Sequence, residues 1–268
     1  MKLSAFAVLM VLSLHVAAHA QAPATAAPPV GPGTATKSAP GTPPAAVKLP
    51  PQAPDVAAPK LGPDGKVNPG FATEHEKFVK IAKEGTAKLV FLGDSITAGW
   101  RGKSAIWDKA FGQYKPANFG IGGDRTQHVL WRITNGELDG IQPKAVVIMI
   151  GTNNSGSDPA DGIARGIQRI VETVRNKQPQ AKILLLAVFP RGEKASSNAQ
   201  RDKLSEVNAM IAKLDDGKNI HFLDIGNKFL QPDGSISKDI MHDFLHLTEA
   251  GYQIWADAIL PKLAGLMN

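Results

Sequence analysis

The chain contains no cysteine. Disulfides, thiolate metal sites and a cysteine nucleophile are therefore excluded. So is a lipoprotein anchor, which needs a cysteine at its cleavage site. A Lys/Arg-rich block is also lacking, although the net charge is +6. Five Lys and two Asp in residues 1–68 supply half of that excess, and 25 basic against 22 acidic residues supply the rest. Charge spread in this way leaves no nucleic-acid footprint. The apolar stretch Leu3 to Ala18 is interrupted by Ser4, Ser13 and His15 and is shorter than the ~20 residues a membrane span needs. What is present is 268 residues, 43% hydrophobic, enough for one sizeable core or two small ones.

Residues 1–20 read as a secretory signal. Lys2 gives a positive start, the apolar stretch follows, and Ala18-His19-Ala20 offers a small-x-small cleavage site before Gln21. The expected location is secreted or periplasmic, with no membrane span in the mature form. Residues 21–68 change character: 12 of 48 are Pro, 11 are Ala and none is aromatic. Such a segment cannot bury enough apolar surface to offset its ordering entropy, so a semi-rigid spacer is expected there. The folded domain is expected over residues 69–268.

In that domain short apolar runs alternate with helical patterns. Leu89–Leu92, Pro116–Phe119, Ala145–Ile150, Ile183–Val188 and His221–Asp224 read as strands. The third and fourth are apolar on both faces, as central strands of a covered parallel sheet are. A helix is expected over Glu74–Glu84. Asp158 reads as the N-cap of a helix with Pro159 at its first position and Ile163, Ile167, Ile170 and Val174 on one face. Leu204, Val207, Ile211 and Leu214 form another stripe. Thr248 caps a final helix bearing Tyr252, Trp255, Ile259 and Leu263, with Pro261 expected to loosen its end. The fold class is α/β: a three-layer α/β/α domain on a five-stranded parallel sheet.

In an open parallel sheet the crevice lies beyond the carboxyl ends of the strands. The first strand runs into Gly93-Asp94-Ser95, the second into Gly120-Ile121-Gly122-Gly123-Asp124, and the third into Gly151-Thr152-Asn153-Asn154. Met241 to Leu247 follows the fifth. Topology brings these four segments to one edge. A serine hydroxyl attacks only when a base takes its proton, and an imidazole oriented by a carboxylate is suited to that task. Asp243 and His246, three apart, supply such a pair for Ser95. The backbone N–H groups of Ser95 and Gly123 and the Asn153 amide are candidate oxyanion donors. Other readings are weaker. A dinucleotide loop at Gly120-x-Gly122-Gly123 wants Gly where Arg125 stands, a metal at His242, Asp243 and His246 lacks a further ligand, and a Gly-x-Ser-x-Gly elbow fails at Thr97. His128 reads as structural.

Gly93-Asp94-Ser95, Gly123, Asn153 and Asp243-x-x-His246 resemble the four blocks of the SGNH (GDSL) hydrolases. Asn118–Asp124, His128–Arg132, Asn135–Leu138, Gly151–Asn154, Phe189–Gly192 and Leu245–Thr248 resemble the platelet-activating-factor acetylhydrolase IB subfamily within them, and the similarity extends over about residues 70–265. Ile96, where Leu is common, departs from the pattern. The resemblance implies a flavodoxin-like fold and no cofactor. It implies Ser95 as nucleophile, His246 as base, Asp243 as orienter, and Ser95, Gly123 and Asn153 as oxyanion hole. Ile96 and Leu245 are candidate walls of a small acyl site, and Arg191 either contacts substrate or braces a loop. The expected activity is hydrolysis of short acyl esters, acetyl above all, on an acetylated glycan. The alternatives are a phospholipid or lysophospholipid acyl hydrolase and, in another class, a non-catalytic glycan-binding protein. The subfamily also suggests a homodimer.

Overall fold

The computed structural model describes residues 51–194, 196 and 198–268. The expected signal, residues 1–20, and residues 21–50 of the expected spacer lie outside them.

Two-residue alternation of apolar side chains sets the sheet. In β1 (Leu89–Gly93) Val90 and Leu92 enter one core while Leu89 and Phe91 enter the other, and β3 (Ala145–Met149) repeats this with Val146 and Ile148 against Ala145, Val147 and Met149. Strands buried on both faces need helices on both. β2 (Pro116–Gly120), β4 (Lys182–Leu186) and β5 (Ile220–Leu223) complete a five-stranded sheet in the order β2-β1-β3-β4-β5, every neighbouring pair parallel. Each strand lies within two residues of its expected ends. The expected three-layer α/β/α architecture is the fold.

One face is covered by α1 (Pro69–Glu84), α4 (Thr126–Thr134), α5 (Ala160–Lys177) and α6 (Ala199–Ile211), whose Phe78, Val129, Ile167 and Val207 join the first core. The other face is covered by α3 (Ser104–Phe111) and α7 (Glu249–Met267), through Phe111, Trp255, Ile259 and Leu263. The four-residue α2 (Ser95–Ala98) follows β1 directly. The spaced apolar stripes of α5 and α7 are buried as expected.

Thr248 caps α7 as expected, its hydroxyl accepting the Gly251 N–H at 3.3 Å, but the starts of α1 and α5 differ from expectation. α1 begins at Pro69 because Asn68 Oδ1 accepts the Phe71 N–H at 3.0 Å, an Asx cap followed by proline at the first position. α5 begins at Ala160, and Pro159 stays extended outside it (ψ 154°). The Asp158 carboxylate, expected as that cap, accepts from Asn154 Nδ2 at 2.8 Å instead. α7 continues through Pro261 to Met267.

The expected spacer was drawn to residue 68, but residues 52–68 form an arm packed on the domain. Pro54 is buried and its carbonyl accepts the Thr126 hydroxyl at 2.7 Å. Ala58 N–H donates to Gln127 O at 3.2 Å, Asp55 pairs with Arg165 at 3.0 Å, and Leu61 bridges Val67. The arm has few apolar side chains to bury, so it is fixed by hydrogen bonds to α4 and α5. Its prolines lower the entropy lost on fixing it.

Candidate active site

The strand order reverses between β1 and β3, the switch point at which doubly wound sheets open a crevice. Ser95 stands there. Asp94 caps α2, its Oδ1 accepting the Ile96 N–H at 2.9 Å, which turns the chain sharply after β1 and leaves Ser95 at the edge, half-buried. β2 presses close alongside. Gly120 is paired with Gly93, and a Cβ on Gly120 would lie 2.3 Å from Ala98 N, so only glycine lets β2 approach the serine turn.

The other groups arrive from the carboxyl ends of the neighbouring strands and from the loop before α7. His246 Nε2 lies 2.9 Å from Ser95 Oγ, and His246 Nδ1 lies 2.7 Å from Asp243 Oδ2. The second carboxylate oxygen of Asp243 accepts the N–H groups of Leu245 (3.1 Å) and His246 (2.7 Å), closing the turn that carries the pair. Desolvation raises the Asp243 pKa, but the hydrogen bonds from the His246 ring, the His246 backbone and the Leu245 backbone outweigh it and hold the carboxyl at about 2. An ionised carboxylate on Nδ1 assigns the ring proton to that nitrogen, which leaves Nε2 to accept the Ser95 hydroxyl. His242, Asp243 and His246 each bring a ligand atom within 4.8 Å of the others, yet both His246 nitrogens are already engaged.

The three candidate oxyanion donors lie on the segments that follow β1, β2 and β3. The Ser95 and Gly123 N–H groups have no hydrogen-bond partner among the described residues. Asn153, on a short 3-10 turn after β3, donates one amide hydrogen to Asp124 O at 2.8 Å and retains the other. Asn154, next to it, is a brace. Its Oδ1 accepts the Thr126 N–H at 3.0 Å, and its Nδ2 donates to Gln127 Oε1 at 3.1 Å. Arg191 is also a brace, donating to Thr152 O at 3.1 Å and to its hydroxyl at 3.2 Å. That is the loop-bracing alternative of the two expected for it. Leu245 lies half-buried beside His246. Ile96 does not serve as an open acyl wall: it is 1% exposed and belongs to the core beneath α7, because the α2 turn points it away from the crevice edge. His128 is structural, as expected, with Nδ1 accepting the Arg125 N–H at 3.1 Å.

Several residues behind the site were not singled out from sequence. Arg132 is fully buried. Its Nε donates to Asp124 Oδ2 at 2.9 Å, its Nη1 pairs with Glu137, and its Nη2 donates to Phe119 O at 2.9 Å and Gly93 O at 3.4 Å. Glu137 in turn meets His75 Nδ1 at 3.0 Å. One guanidinium thus holds both the Gly93 carbonyl before Ser95 and the carboxylate after Gly123. Burial lifts the Asp124 pKa to about 6, against the pull of Arg132 and Lys60. Burial lifts Asp94 to about 7, opposed by the Ile96 N–H and reinforced by Asp124. The Tyr252 hydroxyl donates to Ile96 O at 2.7 Å, tying α7 to α2. The i, i+4, i+8 spacing of Asp124, His128 and Arg132 was the one local signal of this cluster.

The geometry can be set beside known proteins. The GDSL-like lipase/acylhydrolase family model matches residues 91–254. The platelet-activating factor acetylhydrolase IB subunit alpha2 of Rattus norvegicus is 41% identical over 197 residues, 73% of this chain and 84% of its own. A solved Streptococcus pneumonia protein has the same fold, with a TM-score of 0.62 at 23% identity over 72% of this chain and 92% of that one. An acetyl-xylooligosaccharide esterase from Geobacillus Stearmophilus also shares it, with a TM-score of 0.53 at 19% identity over 67% and 94%. A serine at the switch point, an imidazole against it and a sequence match that spans both place the chain in the GDSL-like lipase/acylhydrolase family, as a carboxylic ester hydrolase.

Proposed function

We propose that this esterase cleaves short acyl esters, acetyl above all, through an acyl-serine intermediate, and that it acts outside the cytoplasm on an acetylated glycan. The unbroken chain from Ser95 Oγ through His246 to Asp243, at 2.9 and 2.7 Å, is the observation that carries the mechanism. Ser95 Oγ attacks the ester carbonyl as His246 Nε2 takes its proton. The tetrahedral oxyanion is received by the N–H groups of Ser95 and Gly123 and by the free amide hydrogen of Asn153. Collapse expels the alcohol, which leaves with the proton returned from His246. Water then attacks the acyl-serine, giving its proton to His246, and the acid departs as Ser95 recovers its hydrogen. Loss of one oxyanion donor typically costs roughly 3–4 kcal/mol of barrier.

Support for the acetyl group comes from the names of a relative and a neighbour, an acetylhydrolase and an acetyl-xylooligosaccharide esterase. The export and glycan readings rest on residues 1–20, since an exported enzyme meets polysaccharide first. The test is p-nitrophenyl acetate turnover by the wild type and Ser95→Ala, followed by acetate release from acetylated xylan, peptidoglycan and an acetylated phospholipid. Abolished turnover in Ser95→Ala and release from a glycan are expected. Equal rates for the two proteins would refute the serine mechanism, cleavage of long-chain esters alone would refute the small acyl group, and release from the phospholipid alone would refute the glycan.

A further inference from the structure

Ile121 to Asp124 forms a four-residue turn closed by the Asp124 N–H on Ile121 O at 3.1 Å. Gly123 has φ 71° and Gly122 is not in the left-handed region, which is the type II form. The middle peptide of that turn joins the Gly122 carbonyl to the Gly123 N–H. A trans peptide is planar and its C=O and N–H point in opposite directions. Whatever holds the Gly122 carbonyl therefore aims the Gly123 N–H. With glycine at both central positions, rotation of this plane to the type I form meets little steric resistance. That rotation would turn the N–H to the far side while the closing hydrogen bond survives.

Among the described residues one side chain reaches this carbonyl. Lys60 Nζ donates to Gly122 O at 2.5 Å. A Cβ on Gly123 would lie 2.8 Å from the same nitrogen, so the ammonium packs directly over the glycine. Nζ is also 3.9 Å from Asp124 Oδ1, a buried oxygen with no hydrogen bond among the described residues. Beneath the turn Asp124 and Glu137 face the single guanidinium of Arg132, and Lys60 supplies the second positive charge. The lysine is itself anchored, since its carbonyl accepts the Asn68 N–H at 2.8 Å just before α1.

We propose that Lys60 is a positioning residue for the esterase reaction: by holding the Gly122 carbonyl it locks the Gly122–Gly123 peptide so that the Gly123 N–H is presented to the oxyanion. The inference rests on the reading of Gly123 as an oxyanion donor. It makes the arm a working part of the active site. A carbonyl that accepts a charged donor also polarises its peptide, which strengthens the N–H on the other side.

The test uses the full chain with Lys60→Met, Lys60→Arg and Ser95→Ala, assayed on p-nitrophenyl acetate at a temperature where circular dichroism shows each variant folded. A second measurement is the inhibition constant of phenylboronic acid, whose adduct with a serine places an oxygen in the oxyanion position. In Lys60→Met the donor remains but is no longer aimed, so kcat is expected to fall about 10–100-fold, less than for outright loss of a donor. KM should change less than the turnover does, boronate should bind more weakly in parallel with kcat, and Lys60→Arg should recover most of the loss through its own N–H donors. An unchanged kcat in Lys60→Met, or a fall in kcat with boronate affinity intact, would overturn the role of Lys60 while Ser95→Ala remained inactive. Activity surviving in Ser95→Ala would instead overturn the underlying esterase mechanism.

Discussion

Replacing Asp94 by Asn should make the protein progressively more stable relative to wild type as pH rises, although Asp94 adjoins the proposed nucleophile. The Asp94 side chain is fully buried, with Oδ1 on the Ile96 N–H and Oδ2 without a partner among the described residues. Burial, partly offset by that hydrogen bond and reinforced by Asp124, raises its pKa from 3.8 to about 7. The native state therefore binds a proton that the unfolded chain releases at 3.8. The associated stability is fully present below pH 3.8 and is lost as pH rises, the loss being complete above about 7. At about 1.4 kcal/mol for each tenfold change in proton affinity, the rise from 3.8 to about 7 amounts to about 4 kcal/mol. Asparagine keeps an oxygen for the cap and does not titrate. The unfolding free energy of Asp94→Asn minus that of wild type should thus rise by about 4 kcal/mol between pH 4 and pH 8. At pH 8 this is a gain of about 10 °C in Tm relative to the difference at pH 4, for a domain of this size. Urea unfolding followed by the fluorescence of buried Trp100 and Trp255 reads the difference directly. A difference that is flat with pH, or that falls as pH rises, would refute the reasoning.

Asp243→Asn should lower kcat on p-nitrophenyl acetate about 10⁴-fold with the fold retained, because an amide can leave the proton on the wrong nitrogen of His246. The backbone bonds that Oδ1 accepts from Leu245 and His246 remain available to the amide oxygen. Arg132→Met should cost about 3–5 kcal/mol in urea unfolding at pH 7, since it leaves Asp124 and Glu137 buried without their shared cation. Adding Glu137→Gln to that variant should restore part of the loss, because it removes one of the two buried carboxylates that shared Arg132.

The strands and the hydrogen-bonded chain of Ser95, His246 and Asp243 were legible because each depends on local pattern plus a topological rule. Ala145–Met149 reads as a central strand from its own composition, and the crevice rule then says where Asn153 must lie. The residues that position these groups depend on distant partners instead. Lys60 sits in a stretch whose proline and alanine content argues against burial, and its partner Gly122 is 62 residues away. The partners that bury Arg132, namely Asp124, Glu137 and the Phe119 carbonyl, come from outside its helix and from the strand before it. Ile96 failed as an acyl wall for a related reason. Adjacency to Ser95 in sequence says nothing about which side of a one-turn helix faces the crevice, and here that side belongs to the core.

The bond from the Tyr252 hydroxyl to Ile96 O spans 156 residues and joins the first turn of α7 to the residue after the proposed nucleophile. The same helix seals one side of the sheet through Trp255, Ile259 and Leu263, and it begins three residues after His246. Detachment of α7 would therefore separate base from serine in the same event that wets the core. The amide protons of α7 should exchange with solvent at the rate at which the enzyme loses activity in mild denaturant. Catalysis in this protein then serves as its own gauge of global folding, with no half-open form that still turns over substrate.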